Sequence, residues 1–594
     1  MRLTFDYSIV SALESARALP DPAVPDVAFL REDFAGSLQS FFSTIERAVA
    51  ANPVPIARLQ DLSARAMLGP LAGPEAQELQ ALKVQAGRQG RAVATVIGFF
   101  LKFKAFAMLE EVRKAGKFFQ PAFGPVLVVE GDTVREVFAR DQEFTVDPYG
   151  VEMKKVMTPA HNGGFDTFIL STDHDPLYEP DKRLLTTVCT REDAQLITTL
   201  VHDDCMRRVK AAVAAARLAG GTPTIDVVQA LARYVPVTLG HRYLGVPVAA
   251  TPATFELTPE MLTYYGAAIE GQAETALAKA DGIIPDEAVM YGWIKAAFQH
   301  FFNNVQKDPV VQARGLRACR LLLAYLLREV SIQRTRIIDG LPVDDTMLTR
   351  LVQFQLGQST PTAKRPLDLD PRLVSDLRIA EHVMGTIVGA VAGQEESTCR
   401  VVDAILRLNE GEYPAPTMPG VHAGTFAEAA QMALNVLDGT NVKESRATLH
   451  KYCLEALRLR PQGEVLLRRC AKDGTRIAES RPMAAGTLVF TSHGSAMKDV
   501  PDPESFILDR PREHYLQYGW NRHTCLGQHV SPVIIVESLI ALLGLQGLRR
   551  PTPGVGEAGF PFERRFGHLQ FDDQNLYATT FTLAFTDSGT TRRF

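Results

Sequence analysis

The stretch Tyr518-Gly-Trp-Asn-Arg-His-Thr-Cys-Leu-Gly527 contains one cysteine, Cys525, flanked by two glycines. The segment that follows, up to Leu545, is apolar nearly all round except at Glu537, which predicts a buried helix. The amino end of such a helix faces the sulfur, where backbone N–H groups and the helix dipole stabilise a thiolate. The pattern therefore indicates an anionic ligand, although an isolated buried cysteine more often packs as a small hydrophobe.

This loop resembles the thiolate loop of the cytochrome P-450 superfamily, whose signature is Phe-Gly-x-Gly-x-His-x-Cys-x-Gly. Four signature positions are kept, namely Gly519, His523, Cys525 and Gly527. Tyr518 stands for the Phe that covers the sulfur, and Asn521 stands for the second Gly, where the backbone needs a positive φ. Asparagine tolerates positive φ better than most non-glycine residues.

The resemblance implies a mainly α-helical, triangular haem-thiolate domain of the cytochrome P-450 fold with small β-sheets. It implies haem b (iron protoporphyrin IX) as the cofactor, with Cys525 as the metal ligand and with Tyr518, Gly519 and Gly527 around the sulfur. A thiolate ligand pushes electron density onto haem iron and favours cleavage of O–O bonds.

Charge and cysteine content limit the alternatives. The chain has 63 basic and 68 acidic residues, a formal net charge of −5, with neither sign gathered into a long tail. We therefore expect no binding of nucleic acid. Seven scattered cysteines without Cys-x-x-Cys pairs argue against a disulfide scaffold or zinc site and favour a reducing compartment. Because the first twenty residues resemble no secretory signal, we expect a cytoplasmic protein.

One stretch raises the alternative of a peripheral membrane contact. Val93–Leu109 is apolar and aromatic, but Lys102 and Lys104 interrupt it, and it falls short of the roughly 20 apolar residues of a spanning helix. It predicts either a partly buried helix or a helix lying on a bilayer surface.

The chain divides into two predicted parts. Residues 1–91 show helical patterning broken by proline-rich turns and lie outside the resemblance, which predicts a helical extension of unknown role. Residues 92–594 are the predicted haem domain. Within it, Asp132–Arg140 and Leu316–Arg334 have helical patterns, and Phe123 begins a strand-like run.

A second landmark is the sequence Glu455-Ala-Leu-Arg458, which puts an acid and a base three residues apart on one helical face. Such pairs are common, but this one precedes Arg510 and the Cys525 loop in the order found in the family. The resemblance implies a structural cluster of Glu455, Arg458 and Arg510 that braces the loop. Losing one member would leave buried charge uncompensated.

Haem carries two propionates that need cationic or donor partners, and arginine binds carboxylates well. By motif position the resemblance assigns Arg469 and His523 to this role, with Arg183 as a third candidate. Arg468 is adjacent to Arg469 in a strand-like run, so the two side chains should face opposite ways.

The third landmark is Gly389-Ala-Val-Ala-Gly-Gln-Glu-Glu-Ser-Thr398, a run of small residues in an apolar helix. It resembles the family's oxygen-activating helix, Ala-Gly-x-acid-Thr, with Ala392 and Gly393 lying against the haem. The acid is kept as Glu395, whereas Glu396 replaces the threonine. Glu396 as a buried acid, or Ser397 as a hydroxyl, would then deliver protons to oxygen.

Three functions remain open from the sequence. The first is a monooxygenase that inserts oxygen from dioxygen into a lipophilic molecule such as a fatty acid, terpenoid or sterol. It would receive electrons from a separate ferredoxin or flavoprotein reductase. The second is a peroxide-using enzyme, similar to the hydroperoxide isomerase domains of fungal linoleate diol synthases, whose helix carries Ala-Asn-Gln-x-Gln. The third is a non-catalytic haem-binding docking protein.

Overall fold

The computed structural model describes most of the chain. It covers residues 40–103, 105–157, 178–269, 281–304, 308–358, 374–551 and 578–586, together with residues 27, 30, 168, 169, 173 and 569–571. Residues 1–26 of the predicted extension lie outside the described residues.

The described residues are mainly helical. Eighteen α-helices occur in chain order: α1 Phe41–Ala51, α2 Ile56–Leu68, α3 Gly73–Phe103, α4 Ala105–Ala115, α5 Gly131–Ala139, α6 Asp147–Met157, α7 Tyr178–Val188, α8 Ala194–Ala219, α9 Tyr234–Leu239, α10 Pro259–Ile269, α11 Glu287–Phe298, α12 Pro309–Ile338, α13 Met347–Gln355, α14 Asp376–Asn409, α15 Phe426–Leu437, α16 Val442–Leu459, α17 His493–Ala496 and α18 Ser531–Leu543. The predicted helices at residues 132–140 and 316–334 correspond to α5 and to part of α12.

The strands are short and form three small sheets. They are β1 Phe118–Phe119, β2 Val126–Val128, β3 Phe144–Thr145, β4 Thr224–Asp226, β5 Ala253–Glu256, β6 Asp281–Ile284, β7 Leu466–Cys470, β8 Leu488–Thr491, β9 Leu569–Phe571 and β10 Ala578–Ala584. The largest sheet has the order β1-β2-β8-β7-β3 and is mixed, because β2 and β8 run parallel while β7 and β8 are antiparallel. The others are β4-β10-β9 and β5-β6.

Helix α14 runs through the centre of the molecule. Ser375 caps its amino end by accepting a hydrogen bond from the Arg378 backbone N–H at 3.1 Å. Residues 391–407 of the helix are buried without interruption. Helices α11, α12, α16 and α18 pack around it, so nearly every side chain in this stretch meets another element. A helix buried on all sides can carry polar residues only where partners satisfy them.

Helix α18 is the buried apolar helix that the sequence predicts after Cys525. Its side chains from Ser531 to Leu543 are buried except that of Val533, which is half-buried, and it packs against α8 and α15. Among the described residues, Leu526–Leu543 is long and apolar enough to cross a membrane, but 67% of it is buried inside the protein. Burial of this kind is typical of a core helix.

The amino-terminal helices are joined to the rest of the molecule. Helix α3 is continuous from Gly73 to Phe103, so the predicted boundary at residue 91 falls inside it. Phe41 of α1 lies 5.4 Å, ring to ring, from Phe100 of α3 and also 5.4 Å from Phe119 of β1. Phe490 of β8 belongs to the same buried cluster. Described residues before 92 therefore share a hydrophobic core with the largest sheet.

Candidate functional site

The loop before Cys525 is held by its own backbone. The Cys525 N–H donates to the Tyr518 carbonyl at 2.8 Å. Two residues between them have positive φ, Gly519 at 73° and Asn521 at 60°. Asn521 adopts the left-handed conformation expected for the second glycine of the signature, and this part of the sequence prediction is confirmed.

The helix that faces the sulfur begins later than predicted. Cys525 precedes a short 3₁₀ turn, Leu526–His529, and the α-helix starts only at Ser531. The Cys525 thiol opens into a cavity inside the protein and not into bulk water, so desolvation raises its pKa, and the Gly527 N–H opposes that shift. The helix dipole is thus not the main stabiliser that the sequence suggested. A metal ion bound to a thiol deprotonates it outright.

Cys525 lines a cavity of about 260 Å³. It is the exposed member of the seven cysteines, whereas the other six are buried or partly buried. The wall formed by α14 consists of small and polar residues: Gly385, Thr386, Gly389, Ala390, Gly393, Gln394 and Ser397. Tyr518 and Gly527 also line the cavity, and a Cβ added to Gly527 would lie 3.6 Å from the Cys525 sulfur. The sulfur and the small-residue stretch of α14 therefore share one space.

The structure brings Glu455, Arg458 and Arg510 together. The Glu455 carboxylate accepts from Arg458 at 2.8 Å and from Arg510 at 2.9 Å, and all three side chains are buried. The same carboxylate accepts from the Ile507 N–H at 3.0 Å and from the Tyr515 hydroxyl at 3.3 Å. The cluster ties α16 to the segment that leads into the Cys525 loop.

The two neighbouring arginines of β7 face opposite ways, as the strand pattern predicts. Arg469 is partly exposed, pairs with Asp147 at 3.3 Å and donates to the Gly486 carbonyl. Arg468 is 5% exposed, and its guanidinium lies 4.9 Å from the Phe138 ring centroid. Burial lowers the pKa of Arg468. Because Arg469 already has a carboxylate, Arg468 is the alternative to it as a propionate partner; neither arginine lines the cavity, and the assignment of Arg469 stays a prediction.

Arg183 does not approach the cavity. It is exposed on α7, whereas the preceding Lys182 and Tyr178 both donate to the Arg522 carbonyl of the loop at 2.8 Å. Successive helical residues differ by about 100° in direction, so only one of two neighbours can face the loop. The docking of α7 on the loop thus uses Tyr178 and Lys182, and Arg183 points to solvent.

His523 lies in the Cys525 loop, and one of its two ring nitrogens has a hydrogen-bond partner. Its Nε2 is 3.0 Å from Asp173, and its ring is 5.4 Å from that of Tyr178. Its Nδ1 is buried and has no hydrogen-bond partner among the described residues. A buried orphan nitrogen of this kind usually has a ligand or water as its partner.

The acids of α14 lie away from the cavity. Glu395 is fully buried, accepts from the Tyr291 hydroxyl and pairs with Arg233 at 3.2 Å. Burial raises the pKa of Glu395, while the Arg233 cation opposes the shift. Glu396 pairs with Arg400 one turn further along the helix, at 2.6 Å. Neither glutamate lines the cavity, and buried Ala392 does not line it either.

The polar groups that do line the cavity are neutral. The Ser397 hydroxyl donates to the Gln462 side-chain carbonyl at 2.7 Å, and both residues line the cavity with Gln394. Gln394 is 7% exposed, and its Oε1 has no partner among the described residues. Sequence reasoning missed both glutamines. Gln394 occupies the variable position of the helix motif, whereas nothing in the sequence marked Gln462, which follows the Glu455 helix.

These residues fit a haem. The Cys525 sulfur opens into the cavity, and glycines form the opposite wall. Outside the cavity lining, Arg468 has a buried guanidinium for which no described carboxylate is an ion-pair partner, and His523 has the orphan Nδ1. An iron ligand, an approach for a flat cofactor and cationic or donor partners for its carboxylates are all present.

The chain has the fold of the cytochrome P-450 haem-thiolate proteins. A cytochrome P-450 solved with an acyl carrier protein that carries hexadec-9Z-enoic acid matches with a TM-score of 0.55 at 11% identity, over 82% of this chain and 99% of that chain. A cytochrome P-450 from Bacillus megaterium in complex with testosterone matches with a TM-score of 0.53 at 16% identity, over 82% and 98% of the two chains. No protein-family model matches the chain.

The sequence relatives are fungal enzymes of fatty-acid oxygenation by name. A linoleate diol synthase from Gaeumannomyces graminis is 28% identical over 30% of this chain and 17% of its own length. A bifunctional dioxygenase–epoxy alcohol synthase from Pyricularia oryzae is 29% identical over 46% of this chain and 22% of its own length. The matches thus span less than a quarter of these relatives.

Proposed function

We propose that the chain is a haem-thiolate oxidoreductase of fatty-acid derivatives, and that its reaction is the intramolecular rearrangement of a fatty-acid hydroperoxide. The observation that carries this choice is the neutral cavity. Glu395 and Glu396 are held in ion pairs outside it, whereas Gln394, Ser397 and Gln462 line it. The names of the sequence relatives support the same class of substrate.

A rearrangement suits a cavity without an accessible acid because the reaction needs no proton or electron from outside the substrate. The peroxide O–O bond breaks, and its outer oxygen either inserts into a C–H bond of the same molecule, which gives a diol, or adds across a C=C double bond, which gives an epoxy alcohol. No external electrons and no protons from solvent are consumed overall. The haem, held by Cys525, supplies the thiolate-ligated iron that favours O–O cleavage.

The residues of the chain bind and orient the substrate. Apolar side chains such as Phe168, Leu185, Leu239 and Ile534 line the cavity, which suits a hydrocarbon chain and excludes water. The amides and the hydroxyl supply hydrogen bonds to the oxygen atoms of the substrate. Because Glu395 is tied to Arg233 and Tyr291, it would have to leave both partners to act on a substrate.

A second candidate is a monooxygenase that uses dioxygen. The observation in its favour is an open cleft of about 1150 Å³ on the other side of the Cys525 loop. Arg191, Arg446 and Arg512 line this cleft, together with Glu513 and Glu537. Arg446 is paired with Glu537 at 2.6 Å, so Arg191 and Arg512 are the cations of the cleft that would meet a separate, acidic redox partner. Ser397 is then the hydroxyl that delivers protons, and Glu395 reaches the cavity only after release from Arg233.

The two candidates differ in what drives turnover. We expect the haem-loaded protein to consume linoleic acid hydroperoxides under nitrogen, without reductant, and to release diols or epoxy alcohols detectable by mass spectrometry. With hydroperoxide labelled by ¹⁸O, both label atoms should remain in the product. Consumption of unmodified fatty acid with NAD(P)H, a reductase and dioxygen, together with inert hydroperoxides, would establish the monooxygenase instead.

A further inference from the structure

Gln462 lies in the loop between α16 and β7 and lines the cavity opposite α14. Its amide is oriented by one hydrogen bond, because the Ser397 hydroxyl donates to Oε1 at 2.7 Å. An amide whose oxygen is engaged in this way turns its NH₂ group elsewhere. Among the described residues, none is found to accept a hydrogen bond from Nε2.

The free NH₂ group lies against Gly393. A Cβ built on Gly393 would come within 2.6 Å of Nε2, closer than real Cβ atoms approach a neighbour. Gly389, one turn earlier on the same wall of the cavity, has nothing within 4 Å of its ideal Cβ. A side chain at position 393 would therefore displace the Gln462 amide, whereas one at position 389 would not meet it.

The loop that carries Gln462 is fixed on its other side. Buried His493 lies beside the Gln462 backbone, and burial lowers the pKa of His493 to about 4, so the ring is neutral. Pro461 packs so closely on Gly494 that a Cβ there would lie 2.8 Å from the proline ring. The side chain of Gln462 is held by Ser397, and its backbone is held by the packing against His493 and Gly494. The amide is therefore preorganised.

We propose that the Gln462 NH₂ group donates a hydrogen bond to the peroxide oxygens of the bound substrate, and that Ser397 is the residue that positions this amide. The inference rests on the proposed rearrangement of a hydroperoxide. Negative charge grows on oxygen as the O–O bond breaks, and a fixed neutral donor stabilises it without giving up its proton. Such a donor replaces the acids that α14 keeps outside the cavity.

Substitution of Gln462 tests the donor directly. Gln462→Glu keeps the size and the acceptor but loses the NH₂ group, and Gln462→Ala removes the amide. We expect both to lower kcat for hydroperoxide by about 10²-fold, the usual loss for one transition-state donor, with a smaller change in KM. Ser397→Ala should lower kcat by only about 3–10-fold, because the amide remains but is less well oriented.

A second experiment restores the amide from the helix side of the cavity, at position 393. Gly393→Asn alone should be inactive, because its side chain collides with Gln462. Combined with Gln462→Ala it places an amide in the same gap from the helix side, and we expect it to recover at least tenfold over Gln462→Ala. Gly292→Ala, on the exposed face of α11 with nothing within 4 Å of its ideal Cβ, is the control and should leave kcat within about twofold.

A binding measurement separates failure of this inference from failure of the proposed function. The probes are hydroxylinoleic acid and linoleic acid, titrated optically into wild type and Gln462→Ala with equal haem content. We expect the variant to lose at least fivefold in affinity for the hydroxy acid and less than twofold for linoleic acid. Equal losses, or unchanged kcat in the Gln462 variants of an active enzyme, would overturn the donor role. Inert hydroperoxides with a selective binding loss would overturn only the reaction.

Discussion

The two sides of the cavity differ in how closely they follow the family pattern. On the thiolate side, the Cys525 loop keeps four of its six signature residues, and Glu455, Arg458 and Arg510 form the cluster that the family pattern implies. On the α14 side, the threonine is replaced by Glu396, and the acid Glu395 is bound to Arg233. The side that holds the cofactor is retained, whereas the side that meets the substrate is rebuilt from neutral groups.

This difference separates two requirements. Holding iron demands a fixed sulfur and braced charges whatever the reaction is, whereas the distal wall needs only the groups that one reaction uses. A retained thiolate side therefore predicts the fold and cofactor, and the altered wall carries the information on chemistry.

The largest expected effect is loss of the sulfur. Cys525→Ser should remove the red-shifted absorption band of the reduced, carbon monoxide-treated protein and reduce hydroperoxide turnover to background. Cys189→Ser is the control, because Cys189 lines the same cavity and should keep the band. If the Cys525→Ser variant retained the band, another residue would be the iron ligand, and the distinction between a thiolate side and an α14 side of the cavity would be wrong.

The next effect concerns the brace. Glu455→Gln leaves buried Arg458 and Arg510 without their carboxylate. We expect the free energy of unfolding to fall by roughly 3–5 kcal/mol, measured by urea denaturation. Glu504→Gln removes an exposed partner of Lys498, at 2.8 Å, and should cost at most about 1 kcal/mol. Similar losses of unfolding free energy in the two variants would show that the Glu455 cluster contributes no more than an exposed ion pair.

A third test uses the buried acid behind the cavity. Burial raises the pKa of Glu464 from 4.5 to about 7, against the opposing charge of Arg400 and with a contribution from Glu396. Lys498 and Arg460 are the other charges that act on it. Because the folded-state pKa is the higher one, the folded protein binds more protons between these pH values, and stability falls as pH rises through that window.

Glu464→Gln mimics the protonated acid and removes this dependence. Above about pH 7 we expect the free energy of unfolding of the variant to exceed that of wild type by up to about 3 kcal/mol, since one pKa unit equals about 1.4 kcal/mol. This difference should vanish near pH 4.5. Chemical denaturation at pH 5, 6.5 and 8 measures it. Glu479→Gln, on the exposed surface, is the control; a gain that does not vary with pH would contradict the prediction.

The smallest effect distinguishes the two arginines of β7. Arg468→Gln should release haem at least tenfold faster than wild type, since a hydrogen bond to a charged group contributes roughly 1.5–3 kcal/mol. Arg469→Gln should change the rate less than twofold, because Arg469 pairs with Asp147. Transfer of haem to apomyoglobin gives the rates. The reverse order would support the choice made from motif position.

The sequence predicts what depends on local spacing. The Cys525 loop, the positive φ of Asn521 and the alternation of Arg468 and Arg469 follow from neighbouring residues. Which of the two arginines faces inward depends on pairing with β3 and β8, which bring Arg469 beside Thr145 and Leu488. That register is not visible in the residues of β7 alone.

The distal wall could not be predicted for a related reason. Whether Glu395 meets the cavity depends on the rotation of α14 against α11. In the structure α14 packs on α11, and the Tyr291 hydroxyl of α11 donates to the Glu395 carboxylate. Gln462 meets Ser397 across 65 residues of sequence. Contacts of this range arise only when the helices are assembled.

Helix α3 has a practical consequence for handling the protein. Trimming the chain to begin at residue 92 would cut that helix in two and strip α1 from the aromatic side chains of Phe100, Phe119 and Phe490. Uncovered aromatic surface of this kind promotes self-association. Expression plasmids for crystallisation or enzymology should therefore start upstream of Val27, which is the first of the described residues buried in that cluster.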